Sequence, residues 1–484
     1  MEPPVVHANS SPTPEWLITI MDDGDESSTT GGSQPMIPKI PKIPKIPKIP
    51  KMFRDIESNK NYYDPLVVSI GPYHHGKPEL QEIEKLKIKM AKKYVNGIRV
   101  KSNHDDQDVA SALYQKVKDV AGKAKEYYDS ESSQAIDDES FTKMMFLDGC
   151  FVLQYIYSSV YAQQDMGMKI HHTVFVQRDL FLLENQLPYI VLQALMSTTF
   201  EASEWKEIIC IFIKLNKVHH PPPILRWRYW LIDSVDFIFE RTNIKSMGNS
   251  ADERAMESTG NSGPLHLLDI MRKTLVGPEA KKTLLAQTAG ADDKLSQRYQ
   301  SAKELKTAGI RFRASKSYYY TDVRFSSRLL YGKLTLPALS IDDSTKSMLL
   351  NMLAFETCPD CPDGSWVTSY ICFIDSLINN AEDVSILRSK NILLNCLGSD
   401  QEVADLFNGI GKYLAPHPRA YLGVRYGIKM HFSSRYKIPL AKWMDEWGHT
   451  YFRSPWTVIA LLGAILVIVL TAIQTYATLY PLHK

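Results

Sequence analysis

The chain has 484 residues, which at about 150 residues per domain predicts two or three folded units, or one large unit with tails. Its 56 Lys and Arg residues nearly balance its 54 Asp and Glu residues, and the net charge of +2 lacks the basic excess of nucleic-acid-binding proteins. A hydrophobic content of 44% excludes a wholly disordered chain, and six scattered cysteines do not form a disulfide framework. We therefore expect a globular body and no nucleic-acid partner.

The N-terminal region divides into two segments of unusual composition. Residues 1–36 are rich in Ser, Thr, Pro, Gly and acidic residues, and we expect them to form a disordered acidic tail. Residues 37–51 consist of five Ile-Pro-Lys triplets. Proline at every third position fixes φ and removes a backbone donor, so the repeat predicts a polyproline II helix, whose period is also three residues.

The lysines of this repeat have three interpretations. The one we favour is a stiff spacer with a solvated charged edge. In the second, the lysines contact anionic lipid, and in the third a Pro-x-x-Pro stretch binds an aromatic groove of a partner protein. The candidate contact residues are Lys39, Lys42, Lys45, Lys48 and Lys51.

Residues 52–454 are predicted to form one mainly α-helical body with minor β structure. Apolar residues recur at three- and four-residue steps through most of it, which is typical of amphipathic helices. The helices expected from this pattern include Val109–Tyr127, Phe141–Tyr161, Asp179–Met196 and Leu265–Leu275. Only Leu66–Ile70 and Gly332–Ile341 have strand character, and residues 245–263 are predicted to be a loop.

Residues 455–480 are predicted to form a C-terminal transmembrane helix. The stretch from Trp456 to Ile473 carries no charge and would be about 27 Å long as a helix, close to the roughly 30 Å of a bilayer core. Basic residues precede the span, and the positive-inside rule then places the body in the cytosol. This predicts a tail-anchored, single-pass protein of the plasma membrane or an endomembrane, with the bilayer as a partner. Representative residues of the span are Trp456, Leu461, Leu466, Leu470 and Tyr476.

The common catalytic signatures do not occur in the sequence. It contains no G-x-S-x-G, H-E-x-x-H, G-x-G-x-x-G or P-loop pattern. Three His-His pairs occur, among them His74-His75, but side chains of neighbouring residues point apart and seldom bind one metal. The sequence therefore predicts no metal and no cofactor.

Two acidic residues interrupt apolar stretches that are predicted to be helical. Asp148 lies in Leu-Asp-Gly-Cys and Glu184 in Leu-Glu-Asn-Gln. A buried carboxylate needs partners, so each is either a hydrogen-bonded strut between helices, the interpretation we favour, or part of a catalytic site. In the catalytic alternative, His74 or His75 would join them.

A series of short blocks in a fixed order resembles the plant-specific family known as domain of unknown function 247, or UPF0481. Some of these blocks are Ser-Ile-Gly-Pro-Tyr-His-His-Gly (69–76), Phe-Leu-Asp-Gly-Cys-Phe (146–151), Asp-Leu-Phe-Leu-Leu-Glu-Asn-Gln-Leu-Pro (179–188) and Leu-Thr-Leu-Pro (334–337). The resemblance extends from Ile49 to Tyr480. It implies a helical plant protein with a C-terminal membrane span and no assigned activity. It also implies that some grass members act as pollen-side determinants of self-incompatibility, which pair with small secreted stigma proteins.

The functional hypothesis from these observations is a non-enzymatic, membrane-anchored plant protein that binds other proteins. Its role would be in recognition or signalling, and self-incompatibility is one specific version of that role. The alternative is a membrane-tethered enzyme of unfamiliar type that uses Asp148 and Glu184.

Overall fold

The computed structural model describes residues 45–102, 106–161, 168–197, 202–216, 263–277, 300–328, 331–359, 361, 364–411, 414–433 and 455–479. One hydrophobic core runs through them, from Ile46 near the N-terminal end to Val424. The predicted acidic tail, 1–36, and most of the predicted loop, 245–263, lie outside the described residues, so these boundaries stay predictions.

The N-terminal half of the described chain is helical. Its helices are α1 (Lys51–Arg54), α2 (Gln81–Ser102), α3 (Asp106–Lys125), α4 (Ser130–Gln134), α5 (Asp138–Val160), α6 (Ile170–Asp179), α7 (Tyr189–Met196) and α8 (Ala202–Asn216). Two 3₁₀ turns, Glu57–Tyr62 and Pro78–Leu80, connect the first segments.

Helix α5 is the central element of this half. Asp137 caps its first turn by accepting the backbone N–H of Ser140. From Phe141 to Ile156 nearly every side chain is buried, because α5 packs against α2, α3, α7 and α8. A helix that is apolar around most of its circumference is stable only inside a core, and the sequence of α5 meets that condition.

The C-terminal half adds helices and short strands. The helices are α9 (Leu267–Val276), α10 (Ala302–Thr307), α11 (Thr345–Glu356), α12 (Trp366–Leu377), α13 (Ala381–Ser389), α14 (Asp400–Gly411), α15 (Leu422–Ser433) and α16 (Pro455–Leu479). The strands are β1 (Ile310–Ala314), β2 (Arg324–Ser327), β3 (Gly332–Leu336), β4 (Leu339–Ile341) and β5 (Leu393–Asn395).

The strands form two small sheets. In the first, β3 is central and pairs in parallel with β1 and antiparallel with β2. In the second, β4 pairs in parallel with β5. The predicted strand-like run Gly332–Ile341 therefore divides into β3 and β4, which separate at Pro337, a residue that cannot donate a ladder hydrogen bond.

Two local predictions are wrong. The stretch 180–188, expected to be helical, is a loop between α6 and α7. The side-chain amide of Gln186 donates to the carbonyls of Leu180 and Leu182, and that of Asn185 donates to Asp179 O, so side chains take acceptors that a helix would use. Residues 66–70, expected to be a strand, have irregular backbone with a bend at 66 and 67 and belong to no sheet among the described residues. Side chains of the same loop region bind their N–H groups instead of a neighbouring strand.

The mainly α-helical fold with minor β structure is as expected, but the structure contradicts the transmembrane helix. Among the described residues, no helix combines the length and the apolar character that a membrane span requires. The predicted single-pass membrane localisation depended on this span and is contradicted with it.

Side chains on α16 lie at the surface where the structure describes them. Of the residues that represented the predicted span, Leu466, Leu470 and Tyr476 are exposed. The side chains of Trp456 and Leu461 lie outside the described part.

Candidate functional site

Four polar residues meet where the N-terminal segment 46–77 packs against the loop between α6 and α7. Arg54 ends α1, Asp64 and His74 come from the connections that follow, and Glu184 lies in the α6–α7 loop. We call this group the junction cluster. Glu184 is 130 positions from Arg54 in the chain, so its proximity to the other three members is a product of the tertiary fold.

Glu184 is the centre of the junction cluster. Its Oε1 accepts the backbone N–H of Ile49 at 2.7 Å, and its Oε2 accepts Nη2 of Arg54. Nη1 of Arg54 donates to both carboxylate oxygens of Asp64. Glu184 is buried, so these contacts neutralise a carboxylate that would be costly to leave unpaired.

His74 differs from the other members, because its ring has no hydrogen bond to any residue that the structure describes. The residue is 3% exposed, and within the described part of the chain neither Nδ1 nor Nε2 has a hydrogen-bond partner. Nε2 lies 3.7 Å from Oε2 of Glu184, and Nδ1 lies 3.9 Å from Oδ1 of Asp64. Burial lowers the pKa of His74 to about 4, so the ring is neutral at physiological pH. Its neighbour His75 is exposed and is not a member of the cluster.

Asp148 belongs to a different buried group. Its carboxylate contacts Nζ of Lys87 at 2.6 Å and accepts the backbone N–H of Gly71 at 2.9 Å. Burial alone would lower the pKa of Lys87, but Asp148 and Glu84 raise it above its ordinary value. The structure therefore joins α2 to α5 through an ion pair at Asp148, whereas Glu184 joins the N-terminal segment to the α6–α7 loop.

Asp179, at the end of α6, binds residues 66–68 of the N-terminal segment. Its carboxylate accepts the backbone N–H groups of Leu66, Val67 and Val68, and it pairs with Arg178 at 2.8 Å. Asn185 accepts the N–H of Ile70 at 2.7 Å. The polar residues of the 179–188 block thus replace a strand partner for residues 66–70.

The last two Ile-Pro-Lys triplets pack on the body. Ile46 and Ile49 are buried, and the N–H of Ile46 donates to Tyr127 O at 2.9 Å. Lys45 lies over the Tyr127 ring, and Lys48 pairs with Asp129 at 3.1 Å. Lys51 is exposed at the start of α1, and Lys39 and Lys42 lie outside the described residues. Intramolecular contacts thus engage Lys45 and Lys48, while the predicted lipid or partner contacts of this repeat stay untested.

A further buried group surrounds the start of α9. Asp269 pairs with Lys273 at 2.7 Å and contacts Arg272, which also lies near Glu356. His266 caps the helix, because its Nδ1 accepts the backbone N–H of Asp269.

Glu356 accepts the backbone N–H groups of Val367 and Thr368, which begin α12. These contacts are typical of a structural network that joins α9, α11 and α12.

The three-stranded sheet presents a basic face to solvent. Along β1 the side chains alternate, with Ile310 and Phe312 buried and Arg311 and Arg313 exposed. The parallel register places Arg311 beside Lys333 and Arg313 beside Thr335, and Arg324 of β2 lies opposite Thr335.

Arg324 pairs with Asp322, but no residue in the described ranges forms an ion pair with Arg311, Arg313 or Lys333. We call these four cations the basic sheet face: Arg311, Arg313, Arg324 and Lys333.

Sequence reasoning identified some of these residues and missed others. It named Asp148, Glu184, His74 and His75, and the structure brings only His74 and Glu184 together. It missed Arg54, Asp64 and Lys87. Arg54 contacts Glu184 across 130 positions of the chain, and Lys87 contacts Asp148 on another helix. The Arg-x-Arg alternation in β1 was available as a signal, but β1 had not been predicted as a strand.

Three side chains of the junction cluster are of types that bind metal ions, and they lie close together, although the sequence predicted no metal site. One ligand atom each from Asp64, His74 and Glu184 can be chosen so that all three lie within 4.8 Å of one another. The exposed fraction of the Asp64 side chain is 42%, which leaves the cluster accessible from one side. An imidazole and two carboxylates are a donor set that binds divalent metal ions.

Comparisons with known proteins place the chain in a family. The sequence model of DUF247, described as a plant protein of unknown function, matches residues 46–470. The UPF0481 protein At3g47200 of Arabidopsis thaliana is 30% identical over 438 residues, which cover 86% of this chain and 83% of the relative. The putative UPF0481 protein At3g02645 of the same plant is 23% identical, with coverage of 87% and 88%. No solved structure gives a significant match. The chain therefore belongs to the DUF247 (UPF0481) family of plant proteins of unknown function.

Proposed function

We propose that this chain is a non-enzymatic protein-interaction component, and that its basic sheet face binds an acidic segment of a partner protein. The observation that carries the proposal is the concentration of four cations on one solvent-facing sheet surface in a chain whose net charge is only +2. Asp322 neutralises Arg324, but Arg311, Arg313 and Lys333 form no ion pair with the described residues, and this excess of positive charge favours a partner of the opposite sign.

The spacing of the cations favours an extended acidic peptide. Arg311 and Arg313 are two residues apart on β1, so they lie about 6.7 Å apart along the strand. Acidic residues at alternate positions of an extended peptide have the same spacing on one face. Arginine supports this use, because its planar guanidinium binds carboxylates in a bidentate manner.

The enzyme alternative has less support from the geometry. A general acid or base must reach the substrate, but Asp148 is 1% exposed and Glu184 is 7% exposed. Backbone N–H groups and cations already occupy both carboxylates. These are the contacts of the strut interpretation, in which the carboxylates stabilise the fold that presents the basic sheet face.

A peptide-binding assay on the full-length protein tests the proposal. The probe is a fluorescein-labelled peptide of alternating Glu and Thr, and a Gln and Thr peptide is the uncharged control. We expect the acidic peptide to bind the wild type and to bind the variant Arg311→Glu/Arg313→Glu at least about 10-fold more weakly. The matched control is Lys85→Glu/Lys89→Glu, which reverses two exposed charges on α2 and should bind like the wild type.

Two outcomes would contradict the proposal. One is equal affinity of the wild type and the β1 variant for the acidic peptide. The other is tighter binding of a single-stranded oligonucleotide than of the peptide, which would indicate a nucleic-acid site.

Proximity labelling in plant cells with the same variants then identifies the partner. The recognition or signalling role, including self-incompatibility, is a special case of this proposal and depends on which partner is found.

A further inference from the structure

The junction cluster contains a histidine whose environment is incomplete without a ligand. His74 is buried with both ring nitrogens unsatisfied by the described residues, and carboxylates face both of them. A neutral imidazole always carries one N–H donor and one acceptor. Burying both without a partner costs free energy, and a species bound between one ring nitrogen and a carboxylate would recover the part that belongs to that nitrogen.

The distances in the cluster limit what that species is. The 3.7 Å between His74 Nε2 and Glu184 Oε2 exceeds a direct hydrogen bond. It is too short for a bridging water, which would separate the two atoms by about 4.5–5.5 Å. Two ligands bound to one zinc ion at about 2.1 Å, with an angle of about 110–120°, are about 3.4–3.7 Å apart. The observed separation of 3.7 Å therefore matches two ligands of one zinc ion.

The donor set points to a transition-metal dication. Imidazole nitrogen together with carboxylate oxygen is typical of Zn²⁺, whereas Mg²⁺ and Ca²⁺ prefer oxygen ligands alone. Asp64 supplies the third ligand, because a carboxylate oxygen of Asp64 lies within 4.8 Å of ligand atoms of His74 and Glu184, and the Asp64 side chain is partly exposed.

Arg54 now occupies the place that a cation would take. Its guanidinium binds Oε2 of Glu184 and both oxygens of Asp64, so it neutralises the same two carboxylates. Its side chain is 30% exposed, which allows it to move outward. We propose that Asp64, His74 and Glu184 form a zinc-binding site, and that Zn²⁺ competes with the guanidinium of Arg54 for the two carboxylates. This proposal does not depend on the basic sheet face.

Zinc titration of the full-length protein tests the site. After chelator treatment and desalting, Zn²⁺ is titrated against a chromophoric chelator, with circular dichroism as the check on folding. We expect one tight equivalent in the wild type and an affinity at least about 100-fold lower in His74→Ala. The control His75→Ala removes the exposed neighbouring imidazole and should keep the wild-type affinity.

A second variant decides the question if His74→Ala fails to fold. Asp64→Asn changes a partly exposed carboxylate, so we expect it to fold and to lose at least about 10-fold in zinc affinity. Equal zinc binding by the wild type and either folded variant would overturn the site. Zinc binding that His75→Ala abolishes would also overturn it, because the metal would then lie on the surface.

Arg54→Gln tests the competition separately. Removing the guanidinium leaves two carboxylates without their cation, so we expect zinc affinity to rise by about 10-fold. We also expect Zn²⁺ to raise the melting temperature of this variant by more than that of the wild type. Weaker zinc binding by Arg54→Gln would overturn the competition.

Discussion

Glu184 accepts the backbone N–H of Ile49 across 135 positions of the chain. Ile49 belongs to the Ile-Pro-Lys repeat, and Glu184 belongs to the loop between α6 and α7. One buried carboxylate therefore joins a low-complexity segment to the helical body. The same carboxylate binds Arg54, so it holds two positions of the N-terminal segment 46–77 on the body.

We expect Glu184→Ala to destabilise the protein by about 3 kcal/mol. The substitution leaves the N–H of Ile49 without an acceptor and Arg54 without its buried partner. Urea unfolding at neutral pH measures the change in the free energy of unfolding. The control Glu82→Ala removes an exposed carboxylate from α2 and should change it by less than about 0.5 kcal/mol. A Glu184 variant as stable as this control would show that the contact contributes nothing.

The ion pair between Lys87 and Asp148 predicts strong coupling in a double-mutant cycle. Lys87→Met leaves the Asp148 carboxylate buried without its cation, so we expect a loss of about 3–5 kcal/mol. Asp148→Asn keeps an acceptor for the N–H of Gly71 but removes the charge. The double variant should be more stable than the sum of the two losses predicts, by at least about 1 kcal/mol. Additive losses would mean that the two side chains do not interact energetically.

His266 predicts a loss of stability in mild acid. Burial lowers its pKa from 6.5 to about 4, while Asp269 acts to raise it and Lys273 and Arg272 to lower it further. Between these two pKa values the unfolded chain binds more protons than the folded chain, so stability falls as the pH decreases through this window. The contribution of His266 at pH 5 is a loss of about 2 kcal/mol relative to pH 8.

His266→Asn isolates this contribution. The Asn side chain can accept the N–H of Asp269 as a helix cap but does not titrate. Urea unfolding of both proteins at pH 8 and pH 5 should show a smaller acid loss in the variant. The same acid loss in both would assign the pH dependence to other groups.

The buried isoleucines of the repeat predict that its last triplets stabilise the fold. Ile46 is 0% exposed and Ile49 is 5% exposed. We expect Ile46→Ala to lower the free energy of unfolding by about 2–4 kcal/mol, since it removes buried methyl groups and leaves a cavity. Ile88→Ala, at a position that is 51% exposed, is the control and should cost less than about 1 kcal/mol. Equal costs at the two positions would show that the repeat does not pack on the body in solution.

Sequence periodicity predicted the long helices well because it depends only on local geometry. The apolar stripe of α2 and the apolar length of α5 each bury a surface that is visible in the order of the residues. The loop 180–188 was predicted wrongly because Asn185 and Gln186 bind backbone carbonyls, a competition that periodicity does not report. The transmembrane prediction depended on the length and apolar character of one stretch and on the family resemblance, and the described residues do not support it.

The sequence by itself determined the helical class of the body and its membership of the DUF247 family, because helical period and ordered motifs are properties of the chain. Only the tertiary structure decided which polar residues meet. Asp64, His74 and Glu184 come together through loops, and Arg311 meets Lys333 through a parallel strand register. These contacts depend on long-range packing. Packing brings distant segments of the chain together, but the sequence of each segment carries no periodic pattern that predicts the contact.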